Sequence, residues 1–165
     1  MAKIDMVEVE ASLWSTDIFQ NGVLEACAEL GIIISAHTPL GAGMLTGKIK
    51  SLEDMGSDHH KNFPRWQGEN FQKNLQLVQE LEKLSMKKGC TTAQLALSWL
   101  KKGNGKKHSP WIIPIFGARS EVRVKENCTE IDLSELELKE IANILESFPV
   151  VGTRYPELGM KAVEF

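Results

Sequence analysis

The chain has 165 residues, with a hydrophobic fraction of 42%, a charged fraction of 25% and a formal net charge of −3. These values predict one globular domain with its own core, exclude a general attraction to nucleic acid or to an anionic membrane, and leave no apolar stretch long enough to span a bilayer. The amino-terminal residues lack the apolar region of a signal peptide, and three cysteines without a C-x-x-C pair predict reduced thiols, so we expect a cytoplasmic location.

The first predicted elements are two strands with a helix between them. Residues 6–13 alternate between apolar side chains on one face and polar side chains, including Glu8, on the other, which predicts a strand with two unlike faces. Residues 21–31 carry an apolar stripe at helical spacing, and Gly31 ends that helix. The apolar run within 32–41 predicts a second strand, covered on both faces as parallel strands are.

Residues 42–70 predict a long loop because they are rich in Gly, Asp, His and Lys, and so long a connection is usually functional or mobile. The rest of the chain alternates helices with a single strand. The predicted elements are a helix through 71–84, a helix from Thr91 to Gly103, a strand at 112–116, a short helix at 121–127, a helix opened by the capping box of Ser134, and an irregular tail at 149–165.

This order of strands and helices predicts an α/β fold with a parallel sheet, because βα repetition pairs strands through right-handed crossovers. Such a sheet either curls into a barrel or is doubly wound with helices on both faces. Glu8 and Glu10 on one face of the first strand weigh against two helix-covered faces, since the mouth of a barrel tolerates polar side chains better. Three strands are too few for a complete barrel, which has eight strands and about 250 residues.

The segment 112–127 places polar and cationic residues directly after a buried strand. In parallel α/β folds ligands bind at the carboxyl ends of the strands, and the amino terminus of a helix offers free N–H groups and partial positive charge. Arg119 and Arg123 add guanidinium groups that match phosphate oxygens, so the turn that begins at Gly117 is a candidate anion site. The alternative is that Ser120 only caps the helix and that both arginines are solvated.

The other polar and aromatic clusters give weaker signals. Asp58, His59 and His60 are adjacent in a polar stretch without a third ligand at suitable spacing, so we predict no metal site. Trp14 and Trp66 lie in predicted loops and are candidates for the substrate side of a site, whereas packing is the expected role of the other two tryptophans.

Three motifs, in order along the chain, resemble those of the aldo-keto reductase family. HTPLGAGMLTGK is similar to its A-Y-S-P-L-G-x-G-x-L-T-G stretch, TTAQLALSWL to its T-x-A-Q-x-A-L-x-W segment, and IPIFGARSEVRVKEN to its last barrel strand with the cofactor motif I-P-x-x-G-x-x-x-x-x-R-x-x-E-N. The finer resemblance is to fungal pyridoxal reductase-like members, through EVEASLWSTDIFQNGVLEACAELGI, FPRWQGENFQKNLQLV and VVGTRY. The resemblance covers essentially the whole chain and implies a partial TIM (β/α)8 barrel, with parallel strands 6 to 8 and their helices.

The resemblance implies a reductase that binds NADPH and acts on a small aldehyde. Ser120 and Arg123 would hold the adenosine 2′-phosphate with help from Arg119, and Glu126 and Asn127 would meet the adenine. Charge-assisted contacts of this kind are worth about 1.5–3 kcal/mol each, enough to prefer NADP over NAD. The full set of implied cofactor-binding residues is Glu8, His37, Thr38, Leu40, Gly41, Gly117, Arg119, Ser120, Arg123, Glu126 and Asn127.

The remaining implied cofactor contacts follow the first two strands. Glu8 stands where most family members have a Gln that holds the nicotinamide carboxamide, and the turn 38–41 would line the pyrophosphate. Two positions depart from the family pattern. His37 replaces a Tyr that stacks on the nicotinamide, and Ala42 replaces an Arg that is common at the pyrophosphate.

The family's catalytic Asp, Tyr, Lys and His come from earlier strands than those resembled here, and no catalytic role is assigned to Tyr155, the sole tyrosine. We therefore expect the C-terminal part of an NADPH-dependent reductase, inactive alone. The alternative is a non-catalytic nucleotide-binding or assembly subunit that self-associates or completes its barrel with another chain. A third interpretation is a truncated gene product without a selected function.

Overall fold

A three-stranded parallel sheet forms the centre of the structure. The computed structural model describes residues 3–55, 60–102 and 108–163. The strands are β1 (Met6–Glu10), β2 (Ile33–His37) and β3 (Ile112–Ile115). They lie in the order β1-β2-β3, and both pairs are parallel. The predicted α/β fold with parallel strands is confirmed, and the three carboxyl ends lie at the same edge of the sheet.

Within the described residues the helices are α1 (Val23–Leu30), α2 (Gly68–Lys88), α3 (Thr92–Lys101), α4 (Glu121–Cys128), α5 (Glu135–Ser147) and α6 (Glu157–Met160). Four of the helices lie close to their predicted positions, whereas α2 extends beyond the predicted 71–84 and α6 lies in the tail that was predicted to be irregular. Thr91 and Ser134 form capping boxes with Gln94 and Glu137, and Gly31 ends α1 in the left-handed conformation, with a φ of 66°. None of these helices combines the length and the hydropathy that crossing a bilayer requires.

Residues 42–70 differ from the predicted loop. Apart from 56–59, which lie outside the described residues, this stretch forms short 3-10 helices before α2 begins. The 3-10 helices are Gly41–Thr46, Leu52–Asp54, His60–Asn62 and Pro64–Trp66. Leu45 and Trp66 are 0% and 2% exposed and belong to the same apolar cluster as α2. Single buried apolar side chains such as Leu45 and Trp66 pack this segment against the domain core. Because they follow no helical or strand periodicity, the sequence pattern did not predict their burial.

The tail predicted as irregular at 149–165 contains α6 and is tied to the body of the domain. The fully buried amide of Asn74 on α2 accepts a hydrogen bond from the Val151 N–H at 2.8 Å. The same amide donates to the carbonyl oxygens of Val151, at 2.9 Å, and Arg65, at 3.0 Å. Asn74 and Val151 are 77 positions apart, so no local sequence signal predicts the contacts between them.

The two faces of the sheet have different surroundings. On one face Val7, Ile34, Ala36 and Ile112 form an apolar cluster with side chains of α1 and α3. A second and larger cluster lies beside the sheet, between α2, α3, α5 and the 3-10 segment. The described helices therefore cover one face of the sheet, as in the wall of a barrel.

The opposite face of the sheet carries both acidic and apolar side chains, and we call it the open face. The register aligns Glu8 with Ile113 across β2, and it aligns Glu10 with Ile115. Met6, Ile113 and Ile115 remain 50%, 47% and 48% exposed. Within the described ranges β1 and β3 each pair with β2 alone, so both edges of the sheet are open there.

Candidate functional site

A groove runs along the carboxyl end of β3 and the start of α4. It has a volume of about 660 Å³. Its lining includes three cationic residues, Lys48, Arg119 and Arg123, together with Gly117 and the buried Asn127. The turn for which the sequence predicts an anion site therefore lines an open groove, and Lys48, which follows the 3-10 helix Gly41–Thr46, adds a cation that the sequence analysis did not select.

The amino terminus of α4 is organised by Ser120. The Ser120 Oγ accepts a hydrogen bond from the Arg123 N–H at 3.3 Å, so Ser120 is the N-cap. The guanidinium of Arg123 pairs with the carboxylate of Glu126 one turn later. A guanidinium has five N–H donors and a serine hydroxyl keeps its own proton, so both side chains retain donors for an anion. Arg119 is exposed, and no carboxylate among the described residues forms an ion pair with it.

The turn after β2 has an unusual backbone. Thr38 and Ala42 have φ values of 51° and 53°, and Gly41 has a φ of 56°, all in the left-handed region that non-glycine residues seldom adopt. A Cβ on Gly41 would stand 2.7 Å from Cε3 of Trp14, so only glycine fits there. Leu40, in the same turn, lines the groove at the end of β3. This turn thereby brings the ends of β2 and β3 to a common site.

Glu8 and His37 lie apart from that groove. They line a separate cavity of about 360 Å³ near the open face. Glu8 is exposed, and the Nδ1 atom of His37 lies 3.1 Å from the Thr38 hydroxyl. The predicted cofactor residues therefore divide between the groove and this cavity, while Thr38 and Gly41 line a small third cavity.

Trp14 and Trp66, which the sequence analysis placed in predicted loops, are buried in the structure. They are 3% and 2% exposed, and their rings meet edge to face with centroids 5.0 Å apart. Both line the small third cavity, together with Arg65 and Arg154. The indole N–H of Trp14 has no hydrogen-bond partner among the described residues.

A charge cluster beside these tryptophans, formed by the buried Glu10 and two partly buried arginines, was missed by the sequence analysis. The Glu10 carboxylate accepts a hydrogen bond from Ser15 Oγ at 2.6 Å and lies 3.4 Å from Nη1 of Arg154 and 3.9 Å from Nη1 of Arg65. Burial lowers the pKa of the Arg65 guanidinium, and the charge of Glu10 opposes that shift. Glu10 and Arg154 are 144 positions apart, so only the folded chain brings them together.

Of the predicted histidine run, only His60 lies within the described residues, and its ring meets that of Phe63 at a centroid distance of 5.4 Å. Asp58 and His59 lie outside them. No cluster of three metal-ligating side chains occurs in the part of the chain that the structure describes.

A parallel sheet covered by helices on one face, with a cationic groove at the carboxyl ends of its strands, is typical of α/β proteins of the barrel type, in which the ligand site lies at that edge. Within that class the chain belongs to the aldo/keto reductase family, whose family model matches residues 1–147. Both the predicted family and the pyridoxal reductase-like affinity are confirmed by the comparisons below.

Curated relatives carry names from this family. The chain is 40% identical over 159 residues to a putative pyridoxal reductase of Saccharomyces cerevisiae, and the match covers 90% of this chain and 46% of that protein. It is 38% identical over 159 residues to the aldo-keto reductase yakc [NADP(+)] of Schizosaccharomyces pombe, with 93% and 45% covered. The chain therefore spans about half the length of the curated relatives it matches.

A solved structure supports the fold. The glycerol dehydrogenase of Gluconobacter oxydans superposes with a TM-score of 0.76 at 25% sequence identity, covering 92% of this chain and 45% of that one. This relative is a TIM barrel, so a three-stranded sheet with helices on one face is consistent with part of a barrel.

Proposed function

We propose that this chain is the cofactor-binding part of an NADPH-dependent aldo-keto reductase that reduces a small aldehyde, such as pyridoxal, to an alcohol. The observation that carries the proposal is the groove that holds Lys48, Arg119 and Arg123 beside the amino terminus of α4. Further support comes from relatives named for pyridoxal reductase and for NADP(+). NADPH-linked reduction also suits the cytoplasmic location expected from the sequence.

The residues of the groove fit the adenosine end of NADPH. Ser120 and Arg123 retain N–H and O–H donors for a 2′-phosphate, and Arg119 and Lys48 add positive charge. A Cβ built on Gly117 would meet no atom within 4 Å, so a ligand has space to approach the backbone there. The 4% exposed Asn127 lines the groove with an amide that offers both a donor and an acceptor to an adenine ring.

Bound NADPH supplies a hydride, and the residues of this chain bind and orient it. In this proposal Glu8 and His37 serve the nicotinamide end from their shared cavity. An ionised Glu8 accepts hydrogen bonds from a carboxamide NH2 group but cannot donate to its carbonyl, so its hold is weaker than that of a Gln. By family resemblance the general acid lies in earlier barrel strands, and reduction then requires that further segment.

The preference for NADPH over NADH tests the cofactor assignment. Two or more charge-assisted contacts to a 2′-phosphate, at about 1.5–3 kcal/mol each, should favour NADPH by about 100-fold or more in fluorescence titrations of the full chain. Arg123→Ala should remove most of that preference. Lys125→Ala is the matched control, since Lys125 lies on the same helix, is exposed and pairs only with Glu121 among the described residues. Equal affinities for both nucleotides in the unmodified chain would contradict the assignment.

A second candidate function is assembly, and the sheet itself favours it. The open face exposes Met6, Ile113 and Ile115, and both sheet edges lack a partner strand among the described residues. We propose that further βα units, from a second copy or from a complementing half-barrel chain, cover this face. In that role the chain contributes the nucleotide groove and the other segment contributes the catalytic groups.

A further inference from the structure

We propose that Glu8 makes this chain discriminate between the two redox states of its cofactor, by strengthening the binding of NADP+ relative to that of NADPH. The inference rests on the proposed function, in which the nicotinamide end of the cofactor lies beside Glu8. It goes beyond that function, because the groove at α4 addresses the adenosine 2′-phosphate, which both redox states carry. No residue lines both that groove and the cavity that contains Glu8.

The cavity of about 360 Å³ that contains Glu8 has an acidic lining, and we call it the acidic cavity. Besides the imidazole of His37, its ionisable acidic and basic side chains are three carboxylates and one guanidinium, those of Glu8, Glu10, Asp17 and Arg154. Glu10 and His37 are the last residues of β1 and β2, so the acidic cavity lies at the carboxyl ends of these strands. Ligands of parallel α/β barrels bind at that edge.

The guanidinium groups near the acidic cavity are already engaged. Nη1 of Arg154 lies 3.4 Å from the Glu10 carboxylate, and Nη1 of Arg65 lies 3.9 Å from it. Arg65 also interacts electrostatically with Asp17. These two arginines therefore neutralise part of the negative charge of Glu10 and Asp17.

Glu8 differs from the other two carboxylates because no cation balances it. It is exposed, and no Lys or Arg side chain among the described residues forms an ion pair with it. Its neighbours in register across the sheet are Ser35 on β2 and Ile113 on β3, which carry no charge. A cationic ring in the acidic cavity would therefore meet an uncompensated carboxylate at Glu8.

The two redox states of the cofactor differ by one charge, and that charge is on the nicotinamide. The ring is a cation in NADP+ and neutral in NADPH, whereas the adenosine, the pyrophosphate and the 2′-phosphate are the same in both. The ratio of the two dissociation constants therefore reports on the groups around the ring. A carboxylate attracts the oxidised ring by Coulomb interaction and the reduced ring much less, whereas the neutral amide of a Gln has no net charge with which to distinguish them.

Coulomb's law gives the expected size of the effect. Two unit charges about 4 Å apart in water attract strongly enough to change an equilibrium about fivefold, and this factor falls with distance and rises where protein excludes water. We therefore expect Glu8 to change the ratio of dissociation constants at least about threefold. For a two-electron couple a tenfold change in this ratio corresponds to about 30 mV.

The sign of the effect favours reduction of the aldehyde. In that reaction a hydride passes from the reduced ring to the carbonyl carbon, a proton is added to the oxygen, and the ring becomes a cation. Because Glu8 stabilises the oxidised ring, it lowers the reduction potential of the bound cofactor and makes bound NADPH a stronger reductant.

The test is isothermal titration calorimetry of the full chain with NADP+ and NADPH separately, at pH 8, where carboxylates are generally ionised and imidazoles generally neutral. The quantity compared is the dissociation constant of NADPH divided by that of NADP+. Glu8→Gln should lower this ratio at least about threefold, and Glu8→Ala, a second neutral variant, should lower it in the same direction. Glu8→Asp keeps the charge and should keep most of the ratio.

Glu29→Gln is the matched control. It removes the same charge from an exposed position on α1 that does not line the acidic cavity, so it should leave the ratio unchanged. An equal ratio in the unmodified chain and in both neutral variants would overturn the inference. A loss in Glu8→Asp as large as that in Glu8→Gln would also overturn it, because side-chain geometry and not charge would then be responsible.

The outcomes also separate this inference from the cofactor assignment. If the chain prefers NADPH over NADH but the ratio for NADPH and NADP+ does not depend on Glu8, the inference fails alone and the cofactor assignment stands. If the chain binds neither NADPH nor NADP+, the cofactor assignment fails and the inference fails with it.

Discussion

Placing lysines at Ile113 and Ile115 should weaken the association of this chain with itself or with a complementing half-barrel. Both side chains project from β3 on the open face, where none of the described helices covers them and they remain 47% and 48% exposed. Because the outer edges of β1 and β3 also have no partner strand in the part of the chain that the structure describes, further βα units would pack on this face. A lysine at either position would put a charge into that interface.

The exposed fractions set the expected magnitude. Full burial of an isoleucine side chain contributes about 1.5–3 kcal/mol, so covering the exposed half contributes about 0.8–1.5 kcal/mol per residue and about 1.5–3 kcal/mol for the pair. Desolvation of the two ammonium groups adds to this loss. The double substitution should therefore raise the dissociation constant at least about tenfold, since 1.4 kcal/mol corresponds to a factor of ten.

Sedimentation velocity over a range of micromolar concentrations measures the effect. The control is the pair Leu136→Lys and Leu158→Lys, because these leucines are 80% and 84% exposed but lie on α5 and α6 instead of the sheet. We expect the control pair to sediment like the unmodified chain. A monodisperse species of 18.4 kDa with a cooperative melt, before any substitution, would refute the reasoning, and so would an equal effect of the control pair.

Three further outcomes are expected. Asn74→Ala should lower the free energy of unfolding, measured in urea, by about 3 kcal/mol or more, because it removes three buried hydrogen bonds. The control, Gln76→Ala on the exposed side of α2, should change this free energy by about 0.5 kcal/mol or less. Similar free-energy changes for both variants would contradict the assigned role of Asn74. Hydrogen bonds from Lys88 and Ser134 hold the pKa of Glu137 at about 2, below its ordinary 4.5. The ionised Glu137 carboxylate therefore stabilises the fold fully above pH 4.5, and this stabilisation is lost as the pH falls towards 2. Glu137→Gln should flatten this acidic part of the pH profile of the melting temperature, and an unchanged profile would exclude Glu137 as its source. The purified chain should not oxidise NADPH in the presence of pyridoxal above background, and activity that depends on pyridoxal and survives repurification would show that the chain needs no further segment.

Local features of the chain could be predicted well because the sequence carries their physical causes. Several signals act over only a few residues: the alternation at 6–13, the glycine after α1, and the capping boxes at Thr91 and Ser134. The positions of the first strand and of these helices could therefore be predicted from the sequence. The basic character of 117–123 was visible for the same reason, since the N-cap and both arginines belong to one turn.

The structure of residues 42–70 and of the tail could not be predicted from local sequence patterns. Their structure depends on single apolar anchors and on long-range hydrogen bonds, such as those of Asn74 to Val151, which follow no periodic pattern. Trp14 and Trp66 illustrate the consequence, because residues that looked like loop positions became part of the core once this segment packed against α2.

The sequence by itself determined the parallel βα organisation, the family and the basic turn after β3, because short-range periodicity, capping and motif spacing are local properties. Only the tertiary structure decided that Glu10, Arg65 and Arg154 line one cavity together with Trp14, and that Met6, Ile113 and Ile115 remain about half exposed on one face of the sheet. Those features arise from contacts between residues far apart along the chain, and their energies exist only after the intervening elements have packed.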